Sequence, residues 1–151
     1  MKMIGKRSFP FVILLAEDEP ADAHLLSLAL TENRICVDLQ HVLDGREALE
    51  YLHRQGRRFA LAVRPDLILV DLNMPRMNGR EFLAAINGDP VLGDIPVVVL
   101  STSEVDRDVR DSYRLGAAGY ISKPLDISEF IAKIRQLSDY WLSLVRLPEN
   151  R

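Results

Sequence analysis

Four short apolar runs in this 151-residue sequence each lead into residues able to hold charge or move a proton. FVILLA (11–16) runs into Glu17 and Asp18, LILV (67–70) into Asp71, and VVVL (97–100) into Ser101 and Thr102. GYI (119–121) reaches Lys123 and Pro124 one residue later. A carboxylate at the end of a buried run costs free energy unless something there uses its charge. Three carboxylates sharing one pocket repel, so one must protonate unless a cation compensates. Oxygen donors without His or Cys suit a hard ion such as Mg²⁺, which keeps waters and shares phosphate oxygens. Lys123 adds a point charge and Ser101 a hydroxyl donor, both suited to an incoming phosphoryl group. The chemistry in view is phosphoryl transfer onto a carboxylate, and Asp71, ending the central strand, is the natural acceptor.

These residues meet only if the runs are neighbouring strands of a parallel sheet. Strands apolar on both faces are the mark of such a sheet, covered by helices on each side. ICVDLQHV (35–42) alternates instead and reads as an edge strand. The intervening segments read as helices. Pro20 opens one that carries Ala23, Leu26, Leu28 and Leu30. Asp44 and Glu47 make a capping box ahead of Ala48, Tyr51 and Leu52, and Asn78 caps a helix with Phe82, Leu83 and Ile86. Val105, Val109 and Tyr113 form a thin stripe on the next, and Asp126 opens the last, with Ile127, Phe130, Ile131, Ile134 and Leu137 on one face. Residues 54–65 read as an exposed connection. Alternating strands and helices predict a doubly wound α/β sandwich with every strand's carboxyl end on one edge, where ligands bind.

Composition narrows the class. Hydrophobic residues make up 48% and charged residues 27% of one domain-sized chain. The net charge of −3 gives no electrostatic case for nucleic acid. Cys36 is the single cysteine, and His24, His41 and His53 lack close ligand spacing. MKMIGKRSFP lacks the apolar core of a secretory signal, and no run is long enough to span a bilayer. The expectation is a cytoplasmic domain, residues 10–143, with a flexible 1–9 before it.

In these motifs the sequence resembles the receiver domain of two-component response regulators. LLAEDEP is similar to the family's acidic pair, with Asp18 as direct metal ligand and Glu17 as its outer partner. LVDLNMPRMNG corresponds to the phosphoacceptor segment, with Asp71 modified and the Asn73 carbonyl on Mg²⁺. PVVVLSTS supplies the switch hydroxyl at Ser101; GYISKP supplies Lys123 and the aromatic switch residue Tyr120. The resemblance implies a flavodoxin-like (βα)5 fold with strand order 2-1-3-4-5. It implies a signalling protein rather than a metabolic enzyme, one that assists its own phosphorylation by a histidine kinase and its own dephosphorylation. Ser101 then moves toward the phosphate and Tyr120 turns inward, biasing the face made by the fourth helix, fifth strand and fifth helix. Thr102, bulkier than the Ala or Gly common there, is expected to slow loss of the phosphate.

Only a short tail follows the last helix, so output is expected through protein contact. In SDYWLSLVRLPEN, Trp141, Leu144 and Val145 extend the last helix's stripe and Tyr140 adds apolar surface, with 144–151 expected to contribute to a homodimer. The connection before strand three, DPVLGDIPVVVLSTS and this tail are similar to single-domain regulators that partner bacterial and cyanobacterial phytochromes. A phosphatase of the haloacid dehalogenase type would need a second Asp where Asn73 stands. A flavodoxin-like cofactor site would not carry AEDEP against a phosphate. A degenerate receiver acting as a phosphorylation-independent binding module is the remaining alternative, although such a module would normally have lost Asp18, Asp71 or Lys123.

Overall fold

The apolar runs assemble into one five-stranded parallel sheet in a computed structural model that describes residues 11–32, 37–103 and 105–141. The strands are β1 (Phe11–Ala16), β2 (Val37–Val42), β3 (Leu67–Val70), β4 (Val97–Ser101) and β5 (Gly119–Ser122), in the order β2-β1-β3-β4-β5. The expected 1–9 segment and the tail beyond Trp141 lie outside the described residues.

Both faces of the sheet are covered, which is why its central strands carry no alternation. Leu14, Ala16, Ile68, Val70, Val97 and Val99 pack on one side, against Ala48, Tyr51, Phe82, Leu83 and Ile86. Ile13, Leu15, Leu67, Leu69, Val98 and Leu100 pack on the other, against Leu26, Leu30, Phe130, Ile134 and Leu137. Successive strand residues point to opposite faces, so a strand between two helical layers must be apolar throughout. Each such side chain taken fully from water stabilises the fold by about 1.5–3 kcal/mol.

The helices are α1 (Pro20–Glu32), α2 (Gly45–Leu52), α3 (Gly56–Phe59), α4 (Gly79–Asn87), α5 (Asp106–Arg114) and α6 (Ile127–Asp139). Asn78 and Glu81 cap α4 reciprocally. At α2 the box is displaced: Asp44 accepts from Glu47 N–H, but the Glu47 carboxylate returns to the Leu43 amide.

Five expectations need correction, the first being Ile127, expected on the core-facing stripe of the last helix but 61% exposed. GYI is half-buried, because β5 is an edge strand with β4 on one side only. The 54–65 connection holds the turn α3, whose Phe59 is buried edge-on against Tyr51 at 5.5 Å. The predicted stripe of α5 is mostly outside the core: Val105 and Tyr113 are exposed, Val109 is half-buried, and Ser112 is the residue it buries. On α1, Leu28 is exposed, its core positions being Ala23, Leu26, Ala29 and Leu30. Because α3 takes a number, the fourth and fifth helices of the sequence reading are α5 and α6.

Candidate functional site

Register brings the chemistry together. Ala16 pairs with Val70 and Val70 with Val99, so β1 and β3 release their next residues, Glu17 and Asp71, side by side. The Asp71 amide donates to the Ala16 carbonyl and the Glu17 amide to Val42, which fixes both backbones. His41 Nε2–H donates to the Glu17 carbonyl at 2.7 Å. Carboxylate oxygens of Glu17, Asp18 and Asp71 fall within 4.8 Å of one another.

Lys123, two residues after Ile121 of β5, reaches back across the edge of the sheet. Its ammonium donates to Glu17 Oε1, to Asp71 Oδ2 at 3.0 Å and to Asp22 Oδ2 at 3.0 Å. Glu17 is buried, and burial pushes its carboxyl up to about 7, against the pull of Lys123 and with the help of the Asp71 charge. For Lys123, burial alone would lower the pKa, but the hydrogen bond and charge of Glu17 together with the charge of Asp71 hold it raised. One ammonium among four carboxylates leaves the pocket short of positive charge. A hard divalent ion fits that deficit and an all-oxygen donor set.

Local geometry holds this arrangement. A Cβ on Gly79 would stand 2.5 Å from the Asp71 carbonyl and 2.8 Å from Leu72 Cα, so only glycine lets α4 start against the end of β3. Arg76, in the loop from Asp71 to α4, has φ +60°, and its guanidinium pairs with the buried Asp44 carboxylate at 2.8 Å. The Gly45 amide donates to the Met77 carbonyl, tying the same loop to the start of α2.

Ser101 is fully buried, and its hydroxyl accepts from the Ser103 amide at 3.1 Å. The Tyr120 hydroxyl donates to the Ser103 carbonyl at 2.9 Å, and its ring packs against the helical core. Ser103 also donates through Oγ to Asp108 at 2.6 Å, and Asp108 pairs with Arg80 of α4. One short loop thus joins the hydroxyl, the aromatic ring and two helices.

Residues 13–135 match the response regulator receiver domain. The chain belongs to that family. It is 40% identical over 139 residues to the response regulator Rcp1 of Synechocystis sp. (strain ATCC 27184 / PCC 6803 / Kazusa), covering 92% of this chain and 94% of that protein. The crystal structure of the phosphorylated cyanobacterial phytochrome response regulator RcpA superimposes with a TM-score of 0.87 at 42% identity, covering 93% of this chain and all of that one. RPA3017, a response regulator in red light signalling of R. palustris, gives 0.88 at 33% identity over 94% of this chain and all of its own. Rcp1 has been solved in a Mn²⁺-bound form, with a TM-score of 0.82 at 39% identity over 93% of this chain and all of that one. The strand order and the receiver identity agree with the sequence reading.

The structure groups Glu17, Asp18, Asp71 and Lys123 at the carboxyl edge of the sheet, while the Ser101 hydroxyl is engaged by Ser103. The Asn73 amide donates to Asp71 Oδ1 at 3.1 Å, and Thr102 is exposed beside Ser101. Trp141 lies partly buried against the α1–α6 core, while Tyr140 is 53% exposed with its ring edge-on to Trp141 at 5.3 Å. Leu144 and Val145 lie outside the described residues. Sequence reasoning missed Asp22. It stands in PADAH at the start of α1, and no local signal marked it, because its partner Lys123 comes from a distant loop. Among the described residues no helix is long and apolar enough to cross a membrane.

Proposed function

We propose that this receiver is a phosphorylation switch in which Asp71 accepts a phosphoryl group from the phosphohistidine of a sensor kinase. The observation that carries this reading is Lys123 held by both Glu17 and Asp71 at the carboxyl edge of the sheet. Glu17, Asp18, Asp71 and the Asn73 carbonyl are the residues to hold Mg²⁺, which when bound supplies charge neutralisation for the transferring group. An Asp71 oxygen forms the new bond to phosphorus as the P–N bond to the histidine breaks, and the imidazole leaves with that electron pair. Lys123 holds the phosphoryl oxygens, and the Ser101 hydroxyl turns from Ser103 toward them. Release of Ser103 reaches Tyr120 and α5 through the bonds described above. Thr102, exposed beside Ser101, slows later attack by water on the acyl phosphate.

Leu125 is fully exposed and Ile127 61% exposed, two and four residues beyond Lys123. They give the kinase an apolar landing beside the site. Likeness to RcpA and RPA3017 supports a phytochrome as that kinase. Tyr140, Trp141, Leu144 and Val145 form the homodimer contact, and the setting is cytoplasmic.

The test is intact mass after incubation with acetyl phosphate and Mg²⁺. Wild type is expected to gain one phosphoryl group and Asp71→Asn none. No gain on wild type, under conditions that label another receiver, would leave a phosphorylation-independent binding module.

A further inference from the structure

An ammonium has three N–H donors, and those of Lys123 are all engaged, by Glu17, Asp71 and Asp22. A phosphoryl oxygen reaching this nitrogen must therefore displace one carboxylate. Glu17 is a poor candidate, since its side chain is 3% exposed and losing the ammonium would leave a buried carboxyl without its partner. Asp71 is the acceptor itself and carries the new group. Asp22 is different: its side chain is 41% exposed. It also shares with Glu17 and Lys123 the lining of a cavity of about 30 Å³, large enough to hold a water.

We propose that Asp22 is a positioning residue that occupies the third donor of Lys123 and gives it up to the incoming phosphoryl group. This rests on Asp71 being the phosphoacceptor. While it is bound, Asp22 aims the ammonium at the acceptor side of the pocket. Its charge also repels phosphate dianions, so wild type exchanges a carboxylate for a phosphoryl oxygen instead of filling an empty donor. Partly exposed ion pairs are weak enough for such an exchange and strong enough to measure.

The test follows phosphorylation by acetyl phosphate at saturating Mg²⁺, reading half-saturating donor concentration and maximal rate separately. Asp22→Ala is expected to lower the half-saturating concentration about two- to fivefold, the range of one partly exposed ion pair, with the Mg²⁺ requirement unchanged. Asp22→Asn, which keeps the shape without the charge, is expected to move the same way by less. A merely structural role in the first turn of α1 would alter thermal stability without moving donor affinity. Wild type that labels while both variants keep its half-saturation overturns this inference alone. Wild type that does not label at all overturns the phosphoacceptor reading and this inference with it.

Discussion

Arg76 shows how a single side chain can carry a local conflict. It sits at φ +60°, a conformation that favours glycine, and its guanidinium meets a carboxylate the fold has buried. Burial would raise the Asp44 carboxyl, yet the Arg76 hydrogen bond, the Glu47 amide and the Arg76 charge hold it below the usual range. A depressed acid stabilises the folded state above its unfolded pKa, and that contribution disappears as pH falls through the folded value. Arg76→Ala should therefore lower the urea midpoint at pH 7, and the gap from wild type should narrow below about pH 4, where unfolded aspartates protonate. A gap that stays constant from pH 7 to pH 3.5 would remove the ion pair from the account. Asp22 and Arg76 also mark where residue-level legibility stops. Asp71, Asp18 and Lys123 follow apolar runs and so announce themselves. Nothing in PADAH or PRMNG says which charge faces which, because those partners come from other loops.

At the scale of elements, what the sequence concealed came from position in the sheet. LILV and VVVL read correctly because central strands meet helices on both sides. GYI carries the same pattern yet lies at an edge, a placement fixed by strand order rather than by its own residues. The stripe of α5 misled for a related reason: Val105 and Tyr113 keep helical spacing, but their helix meets the core through the small Ser112. Gly79 is the element-scale counterpart of Arg76. Gly79→Ala drives a methyl into the Asp71 and Leu72 backbone, which a side-chain rotation cannot relieve. Overpacking of this kind costs typically 1–3 kcal/mol. Chemical denaturation should show a loss in that range, and, on the proposed function, phosphorylation should slow in the fraction still folded, because the backbone at Asp71 has been pushed.

For the molecule as a whole, the adjacent residues Tyr140 and Trp141 differ in burial, Tyr140 being exposed and Trp141 partly buried. Trp141 covers the core between α1 and α6, so Trp141→Ala should lower stability by roughly 2 kcal/mol, less than a fully buried Trp would lose. Tyr140 stands exposed, so on the proposed dimer Tyr140→Ala should shift the sedimentation coefficient toward monomer, while the denaturation midpoint of the dilute monomer stays nearly unchanged. A dimer that survives both changes would place the contact on another surface. The loop at Ser103 has a consequence that runs opposite to the flow of the signal. If phosphorylation of Asp71 draws Ser101 away from Ser103, then whatever grips Tyr120 on its Ser103 acceptor must alter the phosphorylation equilibrium by the same factor. A downstream target is therefore also an effector of its own input. Raising the target's concentration changes how much phosphate the receiver holds, and the loading of the switch becomes a measure of demand as well as of stimulus.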